Sequence, residues 1–177
     1  MKTEHRLNKV KSKPYLNWFR NELNTVNCKV AKWIDWDPDS SEYFANIEMR
    51  KVTVPIPECE WSFLVALHEL GHVSTGYRLY SYLTEFNAEL WAVKRAKDLY
   101  SIDNEDYIED AKRYVKRHLV EDLLFSDLLL QDVKPYVLKW LDETPTSIAQ
   151  TIVDAIDRNL VTTDFGRLDR KYWADQM

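Results

Sequence analysis

The chain has 177 residues, 45% of them hydrophobic and 13% aromatic, enough for an ordinary core, with a formal net charge of −5. Only three glycines are present, and no P-loop or dinucleotide fingerprint, which excludes loops that cradle phosphate through backbone free of Cβ. The longest apolar run, Phe63 to Leu67, is far short of the roughly 20 residues that cross a bilayer, and two cysteines, Cys28 and Cys59, are too few for a disulfide scaffold.

Residues 1–14 form a basic arm. Six bases (Lys2, Arg6, Lys9, Lys11, Lys13, Arg20) stand against Glu4 in the first twenty residues, which leaves the remainder ten charges negative. An acidic body does not attract a polyanion, so the arm reads as a solvated, frayed segment rather than a nucleic-acid contact. It never reaches an apolar stretch of the kind that directs secretion, and the expected location is the cytoplasm.

Tyr15 to Leu23 has helical spacing, with Leu16, Phe19 and Leu23 on one face. The period then changes to two. Val30 to Trp36 and Tyr43 to Val54 read as strands either side of the turn chemistry in Asp37-Pro38-Asp39-Ser40-Ser41, giving a small antiparallel sheet within residues 30–57 that Pro55 and Pro57 close. Beyond it the chain is helical: Trp61 to Thr75, Leu83 to Leu99, and a long helix from Glu105 to about Leu130 with Ile108, Val115, Leu119 and Leu123 on one stripe. Tyr136 to Leu141 and a last helix, where Ile148, Ile152, Ile156 and Leu160 recur every fourth residue, complete the segment 104–160. The expected class is α+β in a single domain, with the sheet in the N-terminal third.

Inside the first of these later helices stands His68-Glu69-Leu70-Gly71-His72. Residues at i and i+4 share a helix face about 6 Å apart, so two imidazoles can reach one metal ion without bending the backbone. Glu69 lies about 100° round the helix, where it can flank the ion and take a proton from bound water. A shuffled chain of this composition would give the three fixed letters only about 0.005 times. The apolar stretch before the motif predicts a buried helix, in which histidine and glutamate need partners.

Two histidines leave a zinc site one protein ligand short. Arg78 stands where a third histidine of the longer zincin motif would be; His118 is on the long helix and His5 in the arm. The next helix offers Glu85-Phe86-Asn87-Ala88-Glu89-Leu90. Glu85 is favoured by packing, because Ala88, Ala92 and Ala96 clear its face of bulk and Gly71 does the same opposite, so the two helices can approach closely. Glu89 is the alternative ligand, or it accepts the free ring N–H of a ligand histidine. Gly76 is expected to end the motif helix as its cap.

H-E-L-G-H followed by a helix with E-x-x-A resembles the gluzincin metallopeptidases. Two soluble groups share these features. The ImmA/IrrE-like peptidases have a small sheet, the H-E-x-G-H helix and a close helix with E-x-x-A-[DN]. The metallopeptidase domain of ArdC-type antirestriction proteins is similar in its H-E-L-x-H, T-G, R-L and E-x-x-A-E-L, which match His68 to His72, Thr75-Gly76, Arg78-Leu79 and Glu85 to Leu90. The resemblance covers about residues 43 to 99. It implies a zincin-like fold, Zn2+ as cofactor, His68, His72 and Glu85 as its ligands, and Glu69 as catalytic base. Glu89 departs from the Asp or Asn of the ImmA/IrrE pattern, and the single-stranded DNA-binding domain of ArdC-type proteins has no counterpart here.

The activity implied is zinc-dependent hydrolysis of a protein or peptide substrate. Tyr77, Tyr80, Tyr82 and His118 are candidates for stabilising the oxyanion, and the strand Glu42 to Val54 offers an edge on which an extended substrate can pair. Cys59, nine residues before His68, is a candidate inhibitory thiolate, though a lone thiol has an ordinary packing role to fill. Two other functions compete: a non-enzymatic zincin-fold protein that binds a partner through its C-terminal helices, and a nucleic-acid-associated antirestriction-type factor using the basic arm.

Overall fold

A computed structural model describes residues 14–158 and two short strands beyond them. The basic arm at 1–13 with His5, and also Leu160 and Gly166, lie outside the described residues. In chain order come α1 (Pro14–Val26), β1 (Lys29–Ile34), β2 (Phe44–Asn46), β3 (Lys51–Pro55), α2 (Glu60–Thr75), α3 (Ser81–Tyr100) and α4 (Glu105–Phe125). A 3-10 turn (Leu130–Asp132), α5 (Pro135–Trp140), α6 (Pro145–Asp157) and an antiparallel pair of β4 (Val161–Thr162) and β5 (Arg167–Leu168) follow. The architecture is α+β, with six helices and a three-stranded sheet among the described residues. None of the helices searched is long and apolar enough to cross a membrane.

The chain divides into two compact units, Met1–Tyr77 with Asn87–Tyr107 and Arg78–Phe86 with Ile108–Met177. Helix α3 contributes residues to both. In the first unit β3 is the central strand: Val52 and Val54 are fully buried and Thr53 nearly so. Helix α2 packs against β3, β2 and α1, and Leu16, Phe19, Phe63, Leu64, Leu67 and Leu70 are all buried.

The sheet is mixed, not antiparallel as the strand order suggested. β2 pairs antiparallel with β3, but β1 pairs parallel with it, in the order β1-β3-β2. Strand directions alternate along the chain as in a meander. β3, however, inserts between the other two, and as the most buried of the three strands it has its backbone groups paired along both edges. Arg50 holds this arrangement. At positive φ (49°) it closes the β2–β3 turn, and its guanidinium donates to the carbonyls of Val26 and Asn27. Its own carbonyl accepts from Lys29 N–H at 3.0 Å, at the start of β1.

The end of α1 is locked by a buried carboxylate. Glu22, 2% exposed, accepts from Arg95 Nε at 3.0 Å and lies 2.9 Å from the same guanidinium's Nη2. It also accepts from Tyr100 Oη at 2.6 Å. Both partners are on α3. Burial and the neighbouring Glu22 carboxylate push the Tyr100 phenol above its ordinary value of 10.

The second unit has its own core, in which Tyr82, Val115, Leu119, Val137 and Ile148 are fully buried. Helix α4 ends at Phe125, short of Leu130, where the Ser126 hydroxyl bonds to the Asp122 carbonyl and accepts from Leu128 N–H. Helix α6 starts at a capping box in which Thr144 accepts from Ser147 N–H. The N-terminus of α3 is capped from α4: Asp122 accepts from Tyr82 N–H at 2.8 Å and from Ser81 Oγ at 3.0 Å.

Burial nevertheless holds the Asp122 carboxyl above its usual 3.8, outweighing these hydrogen bonds. A raised folded-state value means that the group's contribution to stability is complete below 3.8 and is lost as pH rises through the folded value. Urea unfolding of wild type beside Asp122→Asn should therefore show the wild type losing ground relative to the variant as pH is raised from below 3.8. A difference that stays flat, or grows with pH, would contradict the desolvation.

Candidate metal centre

Helix α2 is apolar on most of its circumference, as a helix enclosed by other elements must be. It begins at Cys59, with Ser62 Oγ accepting the N–H groups of Glu58 and Cys59 at 2.9 and 3.0 Å. The Cys59 thiol lies 3.4 Å from that same hydroxyl, so the cysteine serves the start of the helix and is not among the converging donors described below. At the other end Gly76, at φ 73°, donates its N–H to the His72 carbonyl at 2.9 Å and ends the helix. That is the capping role its position suggested.

His68, Glu69 and His72 are all buried, at 7%, 7% and 8% exposure. One turn apart, the two rings stand edge to face with centroids 4.6 Å apart, and their Nε2 atoms face each other at 3.0 Å. Glu85, on α3, joins them: one ligand atom from each of His68, His72 and Glu85 lies within 4.8 Å of the other two. Among the described residues no other trio of histidine, cysteine or carboxylate side chains converges in this way.

Glu89, one turn after Glu85, does different work. Its Oε1 lies 3.0 Å from His68 Nδ1, on the side of the ring opposite the converging nitrogens, and its Oε2 accepts from Tyr107 Oη at 3.0 Å. A carboxylate beside Nδ1 favours a proton there, and in a neutral imidazole that leaves the Nε2 lone pair outward. Glu89 thus stands behind His68 and outside the converging set of His68, His72 and Glu85.

The helices can come this close because of Gly71. A Cβ there would lie 2.7 Å from the Ala88 carbonyl oxygen and 3.0 Å from its Cα. Any side chain would meet backbone, so only glycine permits α2 and α3 to pack at the distance that brings Glu89 to His68.

The donor set suits a divalent ion of the zinc type. Two nitrogens bound at 2.0–2.1 Å in a tetrahedron stand roughly 3.3 Å apart, and the observed 3.0 Å is close to that. Two neutral imidazoles and one carboxylate would leave a formal charge of +1 and one coordination position for water.

The candidates for the oxyanion role have contacts of their own. Tyr82 is fully buried in the second unit's core, where its hydroxyl accepts from Lys134 N–H. Tyr80 stacks on Tyr82 and donates to Asp127 at 3.2 Å. His118 Nδ1 lies 3.3 Å from Ser81 Oγ, with the Glu121 carboxylate 3.5 Å away, and Arg117 approaches its Nε2 at 3.2 Å. Tyr77 is 66% exposed.

Sequence reasoning missed Tyr107, because the stripe assigned to this helix began at Ile108. Tyr107 is 4% exposed, and the available signal was its place at the head of Tyr107, Ala111, Val115 and Leu119, all buried and four residues apart.

Compared with protein-family models, with curated proteins and with solved structures, the chain matches none.

Proposed function

We propose that the protein is a zinc-dependent hydrolase of the gluzincin type, with a zincin-like fold, that cleaves peptide bonds of a cytoplasmic protein substrate. The observation that carries this reading is the convergence of His68 and His72 of α2 with Glu85 of α3, within 4.8 Å, where α2 also carries Glu69 between the two histidines. A site that only stored metal would have no use for a carboxylate at that position.

His68 Nε2, His72 Nε2 and one Glu85 oxygen would hold the ion. When bound, it supplies Lewis acidity, which makes water a nucleophile near neutral pH and polarises a carbonyl. Glu69 would serve as the base, accepting the proton of an attacking water and passing it to the leaving amine. Glu89 holds His68 from behind and keeps its proton on Nδ1. Burial of the histidines and of Glu69 excludes bulk water from this exchange, which strengthens each charge interaction within it.

Elemental analysis tests the site. Purified wild type should carry one zinc per chain, Glu85→Ala should lose it, and Glu89→Ala should bind about 10- to 100-fold more weakly. Wild type free of metal, or Glu85→Ala with a full complement, would overturn the reading. Metal retained by a wild type that cleaves no member of a peptide library would favour a partner-binding protein instead.

A further inference from the structure

We infer that Tyr107 is a positioning residue, which acts through Glu89 to fix the tautomer and ring orientation of His68. The inference rests on the metal-site reading above only for its consequence in metal affinity. The contacts themselves are independent of any ion.

Tyr107 is clamped at three points. Its backbone N–H is accepted by Asn104 Oδ1 at 2.9 Å, and the Asn104 amide in turn donates to Glu60 Oε2 at 3.2 Å, which ties the start of α4 to the start of α2. Its ring meets Trp61 edge to face, with centroids 5.4 Å apart at 71°. Its hydroxyl then has a fixed target, Glu89 Oε2 at 3.0 Å.

The consequence follows from the inventory of groups. A carboxylate has two oxygens and only accepts when ionised. With Oε2 taken by the phenol, rotation of the carboxylate is checked, and Oε1 stays 3.0 Å from His68 Nδ1. Glu89 is 5% exposed, so no water is at hand to replace the phenol's hydrogen bond, and a buried carboxylate deprived of one donor turns to recover it elsewhere. The ring it orients would turn with it. Tyr107 therefore governs where the His68 Nε2 lone pair points, without touching any of the three converging donors itself.

Tyr107→Phe keeps the ring and its packing on Trp61 and deletes only the hydroxyl. Two measurements on the full chain test it. In metal-free protein at a pH where imidazole is neutral, nitrogen NMR should show His68 of wild type with its proton on Nδ1, and Tyr107→Phe should give a mixture of tautomers. In a chelator competition with Co2+, Tyr107→Phe should bind about tenfold more weakly, with an altered visible band. Adding Tyr107→Phe to Glu89→Gln should cost little more, because the hydroxyl acts through that carboxylate.

An unchanged His68 tautomer in Tyr107→Phe overturns the proposal, whether or not the protein binds metal. Full additivity of the two losses does so as well, since a purely structural role would lower the melting temperature of both variants independently. A shifted tautomer in a protein that binds neither Zn2+ nor Co2+ supports the Tyr107 relay and refutes the metal site.

Discussion

Glu69→Gln is expected to bind zinc within about twofold of wild type and to hydrolyse peptide about a hundredfold or more slowly. Glutamine matches glutamate in shape and keeps an oxygen that accepts hydrogen bonds, so the buried pocket is not emptied. It cannot take a proton at neutral pH. The split between retained metal and lost turnover separates a general base from a ligand, because removing a ligand would lower both together. Equal hydrolysis by the two proteins would place the base elsewhere, and loss of metal would make Glu69 part of the donor set. Elemental analysis beside single-turnover cleavage reads both quantities on one preparation.

Gly71→Ala is the second large effect. Alanine favours a helix interior over glycine by about 1 kcal/mol, so a glycine kept only by chance would be improved by the change. Here the added methyl meets the Ala88 carbonyl at 2.7 Å and its Cα at 3.0 Å. Backbone has no rotamer with which to yield, and α2 and α3 must part. Overpacking of this kind costs about 1–3 kcal/mol, enough to offset the gain in propensity, and the shift also carries Glu89 away from His68. Urea unfolding should show a less stable protein, and chelator competition should show weaker metal binding. A variant more stable than wild type with unaltered affinity would mean that the helices have room to spare.

Much of the site was legible because its signals are local. Two histidines four residues apart need only a helix to face one another, and the alanines after Glu85 announce a helix that comes close to its neighbour. Gly71 could be read because lack of bulk has few other uses in a buried helix. The topology of the sheet was less accessible. Alternating strand directions fit a meander and also the observed insertion of β3, and what decides between them is Arg50 reaching back to Val26 and Asn27, a contact over more than twenty residues. Tyr107 was hidden for a related reason. Its neighbours Glu105, Asp106, Glu109 and Asp110 are charged, and only the tertiary arrangement turns one aromatic ring of that segment onto Glu89. Glu22 and Arg95, 73 residues apart in the chain, carry no local signal of their pairing either.

That last pair has a mechanical meaning for the chemistry. Glu85 and Glu89 project from one helix, and their different duties are distinguished by a single angle, the rotation of α3 about its own axis. Slippage by one residue would turn both carboxylates through about 100° and leave neither where it is needed. Arg95 and Tyr100, both bonded to Glu22, act on that axis as a keyway acts on a shaft. The carboxylate at the end of α1, remote in sequence from His68 and His72, thereby fixes the azimuth at which α3 presents Glu85 and Glu89.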